Sequence, residues 1–124
     1  MTTWTSDDLK KIGEAEELQI SSLRGDGTLR NPVTIWVVRY GDDLYVRSVN
    51  GREGAWFRGT QVRHAGHIQA GGVDKDVSFV DSDPHINDQI DAAYRTKYRR
   101  YAANIVNSIL TKGACASTTK LVPR

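Results

Sequence analysis

The spacing of apolar positions predicts β-strands in most of the chain. Runs rich in β-branched and aromatic residues occur at "LQISSLR", "PVTIWVVRY", "LYVRSV", "HIQAGG", "DVSFV" and "ASTTKLV". The segments "GDGT", "GDD" and "GVDK" separate neighbouring runs and predict turns. The most clearly marked hairpin joins "PVTIWVVRY" to "LYVRSV". We therefore expect about six antiparallel strands.

Three other segments are expected to contain helices. Thr5 and Asp8 resemble an N-terminal cap for a short helix that runs to about residue 17. A second short helix is expected near 56–63, in a stretch bracketed by glycines. Pro84 begins a long helix near 84–110. Its apolar positions are Ile86, Ile90, Tyr94, Tyr98, Tyr101, Ile105 and Ile109.

These elements predict a mainly β, α+β fold, an antiparallel β-barrel with packed helices. The chain has 124 residues, of which 39% are hydrophobic, which fits a single domain over 1–124 with one core. No repeat or linker interrupts it.

The charge balance and the cysteine content narrow the range of partners. The 17 basic and 15 acidic residues are mixed along the chain, so a nucleic-acid partner is not expected. No segment approaches the roughly 20 apolar residues that cross a bilayer, so no membrane association is expected. Cys115 is the one cysteine, and no N-terminal apolar run resembles a signal peptide. Together these features predict a cytoplasmic protein.

The sequence lacks the strong motifs of phosphate loops and metal sites. "GREG" is not followed by Gly-Lys-Ser/Thr, and no GxGxxG opens a helix. His64 and His67 are three residues apart, but no carboxylate or cysteine lies close to them in sequence, so no metal site is expected. Cys115 lies in a stretch of small residues and is interpreted as an incidental thiol.

Arg47 is the first candidate for chemistry. In the strand "LYVRSV" it shares a face with Tyr45 and Val49, two residues that favour burial, so its guanidinium needs an anionic partner. One interpretation is that a carboxylate of the protein pairs with it. The other is that several neighbouring residues bind a phosphate or carboxylate with the amides of the glycine-rich turn, while Trp56 offers a face to a flat ring. The side chains in that interpretation are Arg47, Ser48, Arg52 and Arg58.

Lys97 is the second candidate. On the long helix it falls in the same arc as the apolar positions, three residues after Tyr94 and four before Tyr101. Its stem could pass the tyrosine rings to reach water. Alternatively, its ammonium could lie in a partly dry cavity with the tyrosine hydroxyls, where burial would lower its pKa and suit it to acid–base work.

Several fragments together resemble a known family over nearly the whole chain. Trp36, "YVRS", "WFR", "AGG", "AAYRTKY" and "TKLVPR" are similar to a small bacterial family called domain of unknown function 2255. That family resembles members of the flavin-type split-barrel superfamily, which includes pyridoxamine-phosphate oxidases and deazaflavin-dependent nitroreductases. The resemblance implies a split antiparallel β-barrel.

The resemblance also implies a cofactor-binding segment. The deazaflavin reductases carry Ala-Ser-Lys-Gly-Gly followed by Trp-Tyr, which holds the cofactor phosphate. "VRSVNGREGAWFRG" is similar, with Ser48 in the serine position and Trp56 in the tryptophan position. Asn50 occupies the lysine position, and Arg47 and Arg52 could replace that cation.

Two functions follow as hypotheses. The first is an oxidoreductase-like protein that binds flavin mononucleotide or a deazaflavin at a homodimer interface. Its ligand-binding residues would be Trp36, Arg47, Ser48, Asn50, Arg52, Trp56, Arg58, Tyr98 and Tyr101. The second is a cofactor-independent isomerase, lyase or cyclase that acts on a small carbonyl metabolite, with Lys97, Tyr94 and Arg47 as catalytic residues. A noncatalytic small-molecule binder or an interaction module also stays open.

Overall fold

The computed structural model describes residues 3–124. Seven strands in this part of the chain form one antiparallel sheet with the order β2-β1-β5-β6-β7-β4-β3. The sheet curls into a half-barrel, which confirms the split-barrel prediction. The strands are β1 (Leu18–Ser22), β2 (Val33–Ile35), β3 (Val38–Tyr40), β4 (Asp43–Val46), β5 (Ala65–Ala70), β6 (Val73–Asp81) and β7 (Thr119–Pro123).

Helices connect and cover the strands, so the fold is α+β as expected. The α-helices are α1 (Ser6–Glu14), α2 (Ala55–Arg63), α3 (Asn87–Lys97), α4 (Ala103–Asn107) and α5 (Lys112–Ala116). Single turns of 3₁₀-helix precede two of them, at Gly51–Glu53 and Pro84–Ile86. The short helix expected near 56–63 is α2. Within residues 3–124, no helix combines the length and the apolar character needed to cross a membrane.

The sheet has one strand more than expected because the run "PVTIWVVRY" divides into β2 and β3. The division occurs at Val37, whose backbone bonds to side chains of the α3 region instead of a neighbouring strand. Its N–H donates to the Tyr98 hydroxyl (3.2 Å), and its carbonyl accepts from Lys97 Nζ (2.6 Å). The Tyr98 hydroxyl in turn donates to the Glu16 carbonyl (2.9 Å). β2 can therefore pair with β1 while β3 pairs with β4, and the barrel is split between them.

The two predicted hairpins are present. β3 and β4 pair across the turn at Gly41. β5 and β6 pair across Gly71 and Gly72, so the second turn lies earlier than the predicted "GVDK", whose last three residues belong to β6. Gly71 has a φ of +57°, and a Cβ there would lie 2.3 Å from the Lys11 carbonyl oxygen of α1. This turn therefore requires glycine.

The N-terminal helix begins at its predicted cap, where the Asp8 N–H donates to Thr5 Oγ1 (3.1 Å). It ends at Glu14 rather than near residue 17, because the chain must become extended to enter β1. Just before the cap, the Trp4 indole donates to the Leu121 carbonyl of β7 (2.9 Å). This bond joins the beginning of the described chain to its last strand.

The long helix expected near 84–110 is interrupted. α3 ends at Lys97, and α4 begins only after Ala102, whose ψ of 147° is not helical. Tyr98 is fully buried and its ring turns toward Val37, which takes residues 98–102 out of the helical path. The interruption divides the expected helix into α3 and α4, and Ile105 lies in α4.

Two apolar clusters fill the molecule. One lies in the barrel interior and includes Leu18, Ile20, Leu44, Ile68 and Leu121. The other lies between α3 and the outer face of β3 and β4, and it consists of Val38, Tyr45, Ile90, Tyr94, Tyr98, Val106 and Ile109.

Candidate functional site

A groove of about 470 Å³ opens beside the split in the barrel. Its walls come from β2 and Trp36, from residues 47–50, from the first turn of α2, and from α4 with the turn that follows it. Most of the lining is apolar, including Val33, Ile105 and Ile109. The volume lies within the range of small-molecule and cofactor sites.

The N-terminus of α2 opens onto this groove with unpaired backbone donors. The first bond of the helix runs from the Arg58 N–H to the Gly54 carbonyl (3.0 Å), so the amides of Ala55, Trp56 and Phe57 have no helical acceptor. Gly54 supplies no side-chain cap, and the first turn contains no acidic residue. Free amides and the positive end of the helix dipole favour an anion at this point.

Ser48 lies beside the same helix end. Its side chain is 99% buried, lines the groove, and makes no hydrogen bond through its hydroxyl within residues 3–124. Its backbone is held firmly, because the N–H donates to Ser117 Oγ (2.8 Å). A Cβ at Gly54 would lie 2.3 Å from Ser48 Oγ, so glycine lets the hydroxyl pack directly against the backbone at the start of α2. The hydroxyl and the α2 amides form a site where an anionic group fits.

Arg47 lines the groove, but the N–H groups of its guanidinium all donate to other parts of the protein. The side chain has no exposed surface and forms an ion pair with Asp91 of α3, with Nη1 and Oδ1 2.5 Å apart. Nε donates to Thr118 Oγ1 (2.8 Å), and Nη1 also donates to the Ile109 carbonyl (3.3 Å). Nη2 donates to the carbonyl and the side-chain oxygen of Asn87 (3.2 and 3.3 Å). All five N–H donors are occupied, which favours the interpretation in which a carboxylate of the protein is the partner.

Tyr94 is enclosed between Arg47 and the second apolar cluster. Its ring lies 5.5 Å from the guanidinium carbon of Arg47, and its hydroxyl has no hydrogen-bond partner within residues 3–124. Burial raises the pKa of this phenol well above its ordinary value. The groove lining does not include Tyr94, so a ligand in the groove does not meet the hydroxyl.

Tyr98 and Tyr101 support Trp36 from behind. The rings of Trp36 and Tyr98 are stacked, with centroids 3.8 Å apart and an interplanar angle of 5°. Tyr101 packs at 5.1 Å from the Trp36 centroid, and its hydroxyl donates to the Glu16 carboxylate, which also pairs with Arg100. Neither tyrosine lines the groove. Their contacts fix the orientation of Trp36, which does.

Lys97 lies in a different depression, between α3 and β3, together with Val38, Arg39 and Ala93. Its Nζ donates to the Val37 carbonyl, and its pKa is lowered to about 8 by burial. The ammonium also lies 5.1 Å from the Tyr98 ring centroid and shares the Val37 carbonyl with the Tyr98 hydroxyl. The groove lining includes neither Lys97 nor Tyr98, so the structure places this lysine–tyrosine pair outside the groove.

The remaining sequence candidates divide between the groove and the surface. Trp56 is half-buried in the first turn of α2, and Asn50 is exposed; both line the groove. Arg52 and Arg58 are exposed and do not line it. Arg52 donates to the Ala116 carbonyl (3.1 Å) and packs over the Phe57 ring. The lining also includes Glu17, Thr34 and Ser108, which no sequence motif marked.

His67 has carboxylate partners that the sequence distance concealed. It lies on β5 opposite β6, and its ring nitrogens face Asp74 (2.6 Å) and Asp76 (2.9 Å). These hydrogen bonds raise the pKa of His67. Each nitrogen faces a separate carboxylate, and no group of three His, Cys, Asp or Glu residues in the described chain is arranged to hold a metal ion.

The lowered pKa of Lys97 gives a testable pH dependence. The folded protein releases this proton near pH 8, whereas the unfolded chain keeps it up to about the ordinary value of 10.5. The unfolded state thus binds more protons in this window, so stability rises with pH between about 8 and 10. We expect Lys97→Met to melt within a few degrees of the wild type at pH 7, since the Val37 carbonyl also lies within reach of the Tyr98 hydroxyl (3.2 Å).

Thermal melts of the two proteins across pH 7–10 measure the effect. The wild type should gain stability relative to Lys97→Met as the pH rises through 8, and the exposed-site variant Lys10→Met should follow the wild type. Parallel curves for wild type and Lys97→Met would contradict the buried position of the ammonium.

Comparisons with solved structures agree with the fold. An F420 reductase matches with a TM-score of 0.56 at 14% sequence identity, over 94% of this chain and 90% of the other. A FAD-binding protein from Mesorhizobium loti matches with a TM-score of 0.58 at 13% identity, over 98% of this chain and 89% of the other. At these identities the likeness establishes the fold alone.

A comparison with curated proteins finds no match. The family comparison is specific and covers most of the chain, as the fragments around Trp36 and Ser48 suggested. Residues 8–121 match the model of a family described as "Uncharacterized protein conserved in bacteria (DUF2255)", and the chain therefore belongs to that family.

Proposed function

We propose that the groove binds flavin mononucleotide or a deazaflavin and that the protein is a small-molecule oxidoreductase. The observation that carries this proposal is the pairing of an open helix N-terminus with the unpartnered Ser48 hydroxyl at one end of an apolar groove. Flavin mononucleotide and deazaflavin cofactors share an anionic phosphate and a flat ring, and the groove has a complementary feature for each.

The phosphate would be held by the amides of Ala55, Trp56 and Phe57 and by the Ser48 hydroxyl. All four donors lack acceptors in the described chain, so an anion gains hydrogen bonds without displacing existing ones. Asn50, which stands in the lysine position of the related motif, adds an amide at the edge of the groove. Arg47 contributes here by holding the Ser48 segment in place.

The ring would lie against Trp36. One face of this indole is covered by Tyr98, and the residue lines the groove, so a flat ligand can stack on its remaining surface. Val33, Ile105 and Ile109 would exclude water around the ring. A bound cofactor would supply the hydride chemistry, and these residues would bind it, orient it and exclude water from it.

The names of the similar structures support the ligand class, because one is a reductase of F420 and the other binds FAD. The cofactor-independent alternative has less support. The side chains that it required are bonded to other parts of the protein: Arg47 to Asp91, Lys97 to Val37, and Tyr94 enclosed away from the groove.

A second copy of the chain would complete the site. Val33, Val49 and Ile105 line the groove and are 40%, 55% and 45% exposed, which leaves an apolar rim. We propose a homodimer in which this rim is buried. Light scattering should give twice the chain mass at micromolar concentration, and a monomer there would contradict the dimer.

Thermal stabilisation tests the ligand class. Flavin mononucleotide at 100 times its dissociation constant should add about 2.7 kcal/mol to the unfolding free energy. Deazaflavin is tested in parallel, and Ser48→Ala should reduce the gain from either. The absence of any shift with both cofactors at millimolar concentration would refute the proposed function.

A further inference from the structure

A side pocket of about 180 Å³ adjoins the groove. It shares Val33, Ala55 and Trp56 with the groove, and Ile20 of β1 lines it as well. Its own polar lining consists of Ser22, Arg30 and Asn31. A ligand in the groove can therefore extend into this space beside Trp56.

Arg30 brings an unpaired cation to the side pocket. Its backbone is fixed, because the N–H donates to the Ser22 carbonyl (2.9 Å). Its side chain takes part in no ion pair or hydrogen bond within residues 3–124, and Nε is buried without an acceptor. A buried guanidinium N–H without a partner is costly and is normally satisfied by an acceptor.

Ser22 supplies a second polar group in the same place. The residue is 95% buried, and its hydroxyl makes no hydrogen bond within residues 3–124. Both side chains pack against bare backbone at Gly59 of α2, where a Cβ would lie 2.5 Å from Ser22 Oγ and 3.0 Å from Arg30 Nε. Ser22 and Arg30 also line the side pocket together, so a small acceptor group in the pocket lies beside both side chains.

We infer that the side pocket is an anion-binding subsite for a second anionic group of the ligand that occupies the groove. The inference rests on the proposed function, and it narrows the ligand class to cofactors that carry a second phosphate or a carboxylate beyond the first phosphate. The side pocket shares Ala55 and Trp56 with the first anion site, so the two anionic groups must be close together in the ligand. A diphosphate-containing flavin such as FAD meets this requirement, whereas flavin mononucleotide fills only the first site.

Small anions test the side pocket without any flavin. Inorganic phosphate and acetate are titrated in turn into isotope-labelled protein, and the Arg30 Nε–H and the Ser22 amide are followed by NMR. Both signals should shift at saturable anion concentration, and the Ser22 shift should vanish in Arg30→Gln and persist in Arg63→Gln. The anion that half-saturates the shifts at the lower concentration shows whether the side pocket prefers a phosphate or a carboxylate. The inference would be overturned if the Arg30 Nε–H signal does not shift, or if the Ser22 amide still shifts in Arg30→Gln.

Flavins test the link to the groove. FAD should bind the wild type about tenfold or more tightly than flavin mononucleotide, since a charge-assisted hydrogen bond contributes at least that factor. Arg30→Gln should lower the affinity for FAD to that for flavin mononucleotide and leave the affinity for flavin mononucleotide unchanged. Arg63→Gln should change the affinity for neither flavin. Equal losses for the two flavins in Arg30→Gln would overturn the inference. Failure of every flavin to bind would refute the proposed function alone, because the small-anion titration decides the side pocket independently.

Discussion

Replacement of Asp91 by alanine should lower the unfolding free energy by about 3–5 kcal/mol, the cost of removing one partner of a buried ion pair. Arg47 has no exposed side-chain surface, and Asp91 is its one carboxylate partner within residues 3–124. Thr118, Asn87 and the Ile109 carbonyl cannot neutralise the guanidinium that is left behind. Chemical denaturation of wild type and variant measures the difference.

The matched control is Asp88→Ala, one turn earlier on α3. Asp88 is exposed and contributes through the helix dipole, so its loss should cost less than about 1 kcal/mol. Asp91→Asn keeps a polar group of the same shape and should fall between the two. If Asp91→Ala costs no more than Asp88→Ala, the ion pair does not hold the Arg47 segment against α3.

Replacement of Ala55 by glutamate should weaken phosphate-bearing flavins by about a hundredfold while leaving the protein at least as stable. Ala55 is exposed, lines the groove, and is the first residue of α2. A carboxylate there would interact favourably with the helix dipole, by about 0.3–1 kcal/mol. The same charge would stand beside the site for the ligand phosphate, where like charges cost several kcal/mol.

Ala55→Gln is the control, because it adds similar bulk without the charge. Isothermal titration gives the affinities, and thermal melts give the stabilities. The glutamine variant should bind flavin mononucleotide within a few fold of the wild type. If glutamine and glutamate weaken flavin binding equally, the bulk of the side chain is responsible and its charge is not. That result would contradict a phosphate site at the N-terminus of α2.

The fold was largely predictable because its signals are local. Thr5, the glycine turns and the β-branched runs each specify their conformation within a few residues, and the structure confirms the cap and both hairpins. The division of "PVTIWVVRY" was not predictable from spacing. It depends on Tyr98 and Lys97, which lie about sixty residues away and satisfy the Val37 backbone.

The part of the groove that is formed by residues close in sequence was also predictable. Ser48, Asn50 and Trp56 are close in sequence, and the structure places them along one cavity together with Trp36. The role of Lys97 depended on a continuous helical wheel, and the interruption after α3 removes that premise. The carboxylate of Asp91 meets Arg47 only through the packing of α3 on the sheet, so no sequence spacing could distinguish it from other acids.

A side-by-side titration of the wild type with flavin mononucleotide and riboflavin tests whether the groove recognises the phosphate of a flavin. The two ligands have the same ring, and only the first carries a phosphate. Two of the three tryptophans, Trp36 and Trp56, line the groove, so ligand binding should quench the intrinsic fluorescence. We expect saturable quenching by flavin mononucleotide at micromolar concentration and at least tenfold weaker binding of riboflavin. Equal affinities, or no quenching by either ligand, would contradict a phosphate-binding flavin site in the groove.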